Sequence, residues 1–110
     1  MQFSDTKPTG TVVGFIRLQK KIGAQHIRLV DFTRYELTKN CIRFREENWV
    51  VTQDATVPAM MGRNTDNFMS MDGANECFAW WLKTKLDDHY TVLQVNGSPG
   101  PLPNAEKLSG

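Results

Sequence analysis

The stretch Asp72-Gly-Ala-Asn-Glu-Cys-Phe-Ala-Trp-Trp-Leu-Lys-Thr-Lys-Leu86 spaces Ala74, Cys77, Phe78, Trp81, Leu82 and Leu86 three and four residues apart. A 3.6-residue period gathers these side chains into one apolar stripe, which predicts an amphipathic helix whose stripe is covered by another layer. Asp72 reads as the N-cap, its carboxylate accepting from free amides of the first turn, and Glu76 also suits the positive end of the helix. Lys83 and Lys85 suit the negative end. Trp80 lies about 200° around the helix from Phe78 and about 100° from Trp81. It therefore sits at the edge of the stripe or outside it, and its indole needs a cover of its own.

Downstream, His89-Tyr-Thr-Val-Leu-Gln-Val95 reads as a strand closed by the turn pair Asn96-Gly97. Residues 98–110 hold three prolines and little apolar content, which predicts a disordered tail. Upstream, residues 53–71 carry Pro58, Gly62 and several Asn, Asp and Thr with no clear period, so a long loop is expected, with a short helical turn near residues 58–61. Within it, Met60-Met-Gly-Arg-Asn-Thr-Asp-Asn-Phe-Met-Ser-Met71 concentrates four of the chain's five methionines.

Before that loop, Cys41-Ile-Arg-Phe-Arg45 alternates cleanly, with Ile42 and Phe44 inward and Arg43 and Arg45 toward water. Glu46-Glu-Asn48 reads as a turn and Trp49-Val-Val-Thr52 as a short strand, giving a hairpin whose aromatic residues anchor the inner face of a sheet. Thr11-Val-Val-Gly-Phe-Ile-Arg-Leu18 is a β-branched and aromatic strand ending at the polar turn of residues 19–23. Residues 25–32 form its partner, which Tyr35 and Leu37 extend or follow. The expected fold is α+β: an antiparallel sheet of four to five strands packed against one C-terminal amphipathic helix. It is expected to form a single domain over residues 11–97, with a flexible N-terminus at 1–10.

A chain of 110 residues, 40% hydrophobic and 23% charged, has the size and composition of one folded domain. No apolar run approaches the roughly 20 residues of a membrane-spanning helix. The polar start lacks the plan of a secretory signal, so no membrane association and a cytoplasmic location are expected. Cys41 and Cys77 are too far apart for a CxxC motif and read as reduced, with Cys77 a small core residue.

Neither His26 nor His89 stands in a catalytic motif, and no pair of His, Cys, Asp or Glu has metal-ligand spacing. Asp54, Asp66 and Asp72 are the acids that the long loop is able to bring together. No nucleophile elbow or phosphate-binding glycine loop is present, so no metal, cofactor or catalytic residue is expected.

The methionine cluster departs most from a plain domain. Methionine is flexible and polarisable, which suits an adaptable contact surface as well as a plug for the open end of the core. The first expectation is a non-enzymatic binding module that contacts a protein or small apolar ligand through Met60, Met61, Arg63, Phe68, Met69 and Trp80. It is expected to form a homodimer with Trp80 at or near the interface.

A second expectation is a small hydrolase or isomerase with a pocket under the same loop, using His26 or His89 with a loop aspartate. The third follows from charge. Residues 1–50 carry nine Lys and Arg against five Asp and Glu, and residues 51–110 carry four against seven. Arg17, Lys20, Lys21, Arg28, Lys39, Arg43 and Arg45, with Tyr35 or Phe32 to stack on a base, would bind single-stranded nucleic acid if they converged on the sheet's outer face.

Overall fold

The computed structural model describes residues 10–24, 26–39, 41–52 and 57–102. Four strands follow one another, β1 (Thr11–Ile22), β2 (His26–Thr38), β3 (Cys41–Thr52) and β4 (Ala59–Phe68), then the helix α1 (Met71–Asp87) and a last strand β5 (Thr91–Gly97). All pairings are antiparallel, in the order β4-β3-β2-β1-β5. The chain therefore meanders from β1 outward to β4. The helix then carries it back so that β5 adds beside β1.

Register assigns the faces, because residues directly opposite one another in adjacent strands share a side. Ile16 pairs with Phe32, Leu18 with Val30 and Ile42 with Phe68, and all of these face α1. They join Phe44 and, from the helix and the segment after it, Ala74, Phe78, Trp81, Leu82 and Tyr90 in one core. Phe32 is central to it, with its ring centroid 4.2 Å from that of Trp81, 4.6 Å from Phe44 and 5.3 Å from Phe78. The indole N–H of Trp81 is buried without a hydrogen-bond partner among the described residues, a desolvation cost of about 1–3 kcal/mol that the ring's packing has to exceed.

The expected helix is present one residue longer at each end, and its cap differs. Ser70, in extended conformation, accepts from the Gly73 amide at 3.1 Å. Asp72 lies inside the first turn instead, where its charge still favours the helix. At the other end His89 takes a left-handed φ of 69°, with its amide donating to Leu86 O and that of Tyr90 to Lys85 O. This is a Schellman ending, and it gives His89 a structural task.

Four expected boundaries move. At the last strand, His89 and Tyr90 precede β5, and Asn96 and Gly97, expected as its closing turn, pair with Phe15 and Gly14 inside it, because β1 extends far enough to offer them partners. Residues 46–48 do not turn the chain, since β3 runs unbroken to Thr52. The turn expected at residues 19–23 begins later, because β1 continues to Ile22, and β2 absorbs Tyr35 and Leu37. The greatest change is in the expected long loop, where β4 occupies Ala59–Phe68 and neither a loop nor a helical turn stands at residues 59–61. β4 is an edge strand with nearly all of its side chains exposed, so neither face imposes the alternation that marks a strand in sequence.

The flexible start expected at residues 1–10, apart from Gly10, and residues 103–110 of the expected tail lie outside the described residues. Of the segment after β5, Pro99 is fully buried. Gly14 permits this approach, for a Cβ there would lie 2.1 Å from the Ser98 carbonyl carbon.

Candidate functional site

Among the described residues a single helix covers one side of a five-stranded sheet, and no second layer covers the other side. Rows of register partners describe that open face. One row runs Arg17, Asp31, Glu47, Arg63 across β1 to β4. Beside it lie Phe15, Thr33, Arg45 and Thr65 on one flank, and Gln19, Leu29, Trp49 and Met60 on the other. Tyr35, Arg43 and Asn67 form a further row, and Lys21, Ile27 and Val51 another.

The charged row is internally paired. Arg17 grips Asp31 with both arms, Nε to Oδ1 at 2.6 Å and Nη2 to Oδ2 at 2.8 Å. Arg63 reaches Glu47 at 2.8 Å. Asp31 is only 4% exposed although no helix covers it. Its Oδ2 also accepts from the Trp49 indole at 3.1 Å. The carboxylate therefore holds a guanidinium and an indole in fixed positions on the face. The Arg17 guanidinium also lies 5.9 Å from the centre of the Phe15 ring. Hydrogen bonding to Asp31 raises the Arg17 pKa above its ordinary value, against a smaller opposing effect of burial.

Three cations of the other rows, Lys21, Arg43 and Arg45, have no acidic partner among the described residues. Arg43 donates to Asn67 Oδ1 at 2.9 Å. Arg45 is buried and its Nε lacks a partner. The open face thus carries a fixed aromatic and cationic platform beside two unneutralised guanidinium groups.

The six residues expected to form one binding surface are not brought together. Met60 and Arg63 lie on the open face, next to Trp49 and Glu47 respectively. Phe68 packs against the core on the helix side, and Met61 stands exposed at a bulge of β4. Met69 precedes the helix, and Trp80, 68% exposed, points away from the sheet. Met60, Met61 and Met69 are exposed and do not plug the core.

Of the expected basic set, Arg17, Lys21, Arg43 and Arg45 share the open face. Lys20 and Arg28 pair on the opposite side, Lys20 reaching Asp88 at 3.1 Å, and Lys39 lies in the turn after β2. Phe32 is core, whereas Tyr35 is on the open face. Trp49, expected on the inner face, is on the open one. The signal was present, because Trp49 has the same odd parity as Arg43 and Arg45 once the strand is read as continuous.

The acid–base residues are dispersed. His26 lines a shallow pocket of about 370 Å³ with Lys21, Gly23, Ala24, Ile27, Val51 and Thr52, none of them acidic. His89 ends the helix, and Asp54 lies outside the described residues. Among the described residues no cluster of His, Cys, Asp or Glu is placed to hold a metal. Cys77 flanks the core, half-buried. Burial, with a further contribution from Asp66, pushes its thiol pKa up, which disfavours the reactive thiolate.

Among the described residues, no helix is long and apolar enough to cross a membrane. Set against known protein families, curated proteins and solved structures, the chain matches none of them.

Proposed function

We propose that the chain is a non-enzymatic binding module that takes single-stranded nucleic acid on the helix-free face of its sheet. The observation that carries this reading is the convergence, on the side of the sheet away from α1, of Phe15, Tyr35 and Trp49 with Arg43, which forms no ion pair among the described residues, the ion-paired Arg17 and Arg63, and the buried Arg45. Flat rings offer stacking to any base, and guanidinium groups offer charge to phosphates and planar surfaces to bases. Asp31 supports this by fixing the Trp49 indole and the Arg17 guanidinium in advance, so less side-chain freedom is lost on binding.

The test is titration of the full chain with a dodecamer of deoxythymidine at low ionic strength, following fluorescence anisotropy of the labelled oligonucleotide. Binding is expected that weakens as salt rises, because phosphate contacts release counterions. Replacing Trp49 by Ala should weaken binding about 5- to 150-fold, the range for one stacked base. Affinity indifferent both to salt and to Trp49→Ala sinks the proposal.

One observation favours a second reading on the other side of the molecule. Trp80 is exposed on the outer surface of α1, and Met69 near its start is 76% exposed. A homodimer formed through Trp80 would cover the indole. Sedimentation equilibrium is expected to show self-association that Trp80→Ala abolishes, and a monomer at every concentration excludes it.

A further inference from the structure

A groove of about 480 Å³ opens on the helix side of the sheet, where β2 ends and α1 begins. It is lined by Val13, Ile42, Met71 and Pro101 as apolar surface, and by Arg34, Glu36, Asn75 and Ser98 as polar groups, with Gly100 completing the wall. Its volume is that of a small-ligand site, and a largely apolar lining with a few convergent polar groups is the usual make-up of one.

Arg34 sets the chemistry. Register with Phe44 puts it on the helix side of β2, where it is only 7% exposed. Its Nη1 donates to Asn75 Oδ1 at 2.9 Å and its Nη2 to Met71 Sδ at 2.8 Å, and the guanidinium lies 5.7 Å from the centre of the Phe44 ring. These partners are neutral. No carboxylate forms an ion pair with Arg34 among the described residues, whereas Arg17 holds Asp31 with two bonds. A buried charge is ordinarily paired, and the absence of a counter-charge marks a place for one. Burial accordingly lowers the Arg34 pKa, with the charge of Glu36 acting in the opposite direction.

We propose that this groove binds a small monocarboxylate with an apolar body. The carboxylate accepts from the Arg34 guanidinium, whose planar fork matches its two oxygens, and the body lies against Val13, Ile42 and Pro101. The start of α1, at Met71, adds the positive end of the helix dipole. Glu36 lines the same groove, and its charge disfavours a dianion more than a monoanion, so at a pH where phosphate is mostly dianionic the groove selects a monocarboxylate with an apolar body. The site is on the opposite side of the sheet from the nucleic-acid surface and does not depend on it.

The experiment is a titration of the ¹⁵N-labelled full chain with hexanoate, with hexanamide and with inorganic phosphate, read in two-dimensional amide spectra. Hexanoate is expected to shift the Val13, Asn75 and Ser98 amides saturably, while hexanamide and phosphate leave them in place. Arg34→Met should weaken hexanoate binding about tenfold or more, the loss expected for charged hydrogen bonds. Ser98→Trp fills the groove from its rim with Arg34 intact and should abolish the response, which keeps the test valid if Arg34→Met fails to fold. Glu36→Gln should tighten binding. The proposal is overturned if hexanoate leaves these amides unmoved, if hexanamide or phosphate binds as well, or if Ser98→Trp binds hexanoate like the parent chain.

Discussion

Replacing Phe78 by Ala is expected to lower the free energy of unfolding by about 3–5 kcal/mol, measured by urea denaturation followed by circular dichroism. Phe78 is fully buried. Its ring contacts Phe32 at 5.3 Å, Trp81 at 6.0 Å and Phe44 at 6.3 Å between centroids. It also sets the position of the segment after β5, since Gly100 lies so close that a Cβ there would stand 2.4 Å from the ring. Removal would open a cavity under the helix and release that segment together. Domains of this size have only about 5–15 kcal/mol of stability in all, so the loss removes about a fifth of it or more and should move the denaturation midpoint well below that of the parent. Trp80→Ala, two residues along on the exposed side, should change stability by less than about 0.5 kcal/mol. A Phe78→Ala variant with the parent's midpoint would mean that the helix does not cover the sheet in the way described.

The contrast between Phe78 and Trp80 is the part of the fold that the amino-acid pattern states most clearly. A helix packed on one side only has to repeat its apolar residues with its own period, and the stripe of Ala74, Phe78, Trp81 and Leu82 is that constraint written in sequence. Where burial is one-sided, in β1 and the first half of β3, alternation is equally legible. It fades where neither side is covered. Glu46 and Glu47 resemble turn residues, yet Glu46 faces the helix end, where Lys85 approaches to 3.8 Å, and Glu47 faces the open side and holds Arg63. Both positions tolerate a charged strand residue, so composition and strand geometry part company there. β4 is the extreme case: its composition marks a methionine cluster, but only register puts Met60 opposite Trp49 and leaves Met61 as the extra residue of a bulge.

The open face was legible only in fragments. Arg43 and Arg45 announced an outward parity, but Asp31 and Glu47 acquire meaning only through register with Arg17 and Arg63 on the adjacent strands, 14 and 16 residues away. Arg34 is a plainer signal. It stands at an inward position of β2, two residues beyond Phe32, where an apolar side chain is the rule, and a polar residue breaking an inward pattern is a marker of function.

Replacing Asp31 by Leu should cost about 3 kcal/mol, the lower end of the range for breaking a buried ion pair, because the Arg17 side chain is 31% exposed and still reaches water. The loss arises from two donors left without their acceptor, the Arg17 guanidinium and the Trp49 indole N–H. Leu at position 31 together with Met at position 17 removes the charge pair as a unit and should recover most of that stability, since apolar replacement of both partners is often nearly neutral. Nucleic-acid affinity should not recover, because the double variant lacks the Arg17 guanidinium and leaves Trp49 unanchored. The pH dependence has a definite sign. Hydrogen bonding to Asp31 raises the folded-state pKa of Arg17, so that contribution is complete below the unfolded arginine pKa and is lost only as pH climbs through the folded value. The stability difference between parent and Asp31→Leu should therefore show no alkaline decline between about pH 7 and 10. Recovery of both stability and binding in the double variant would show that Asp31 neither orients Trp49 nor serves the open face, and that the pair merely occupies space in the sheet.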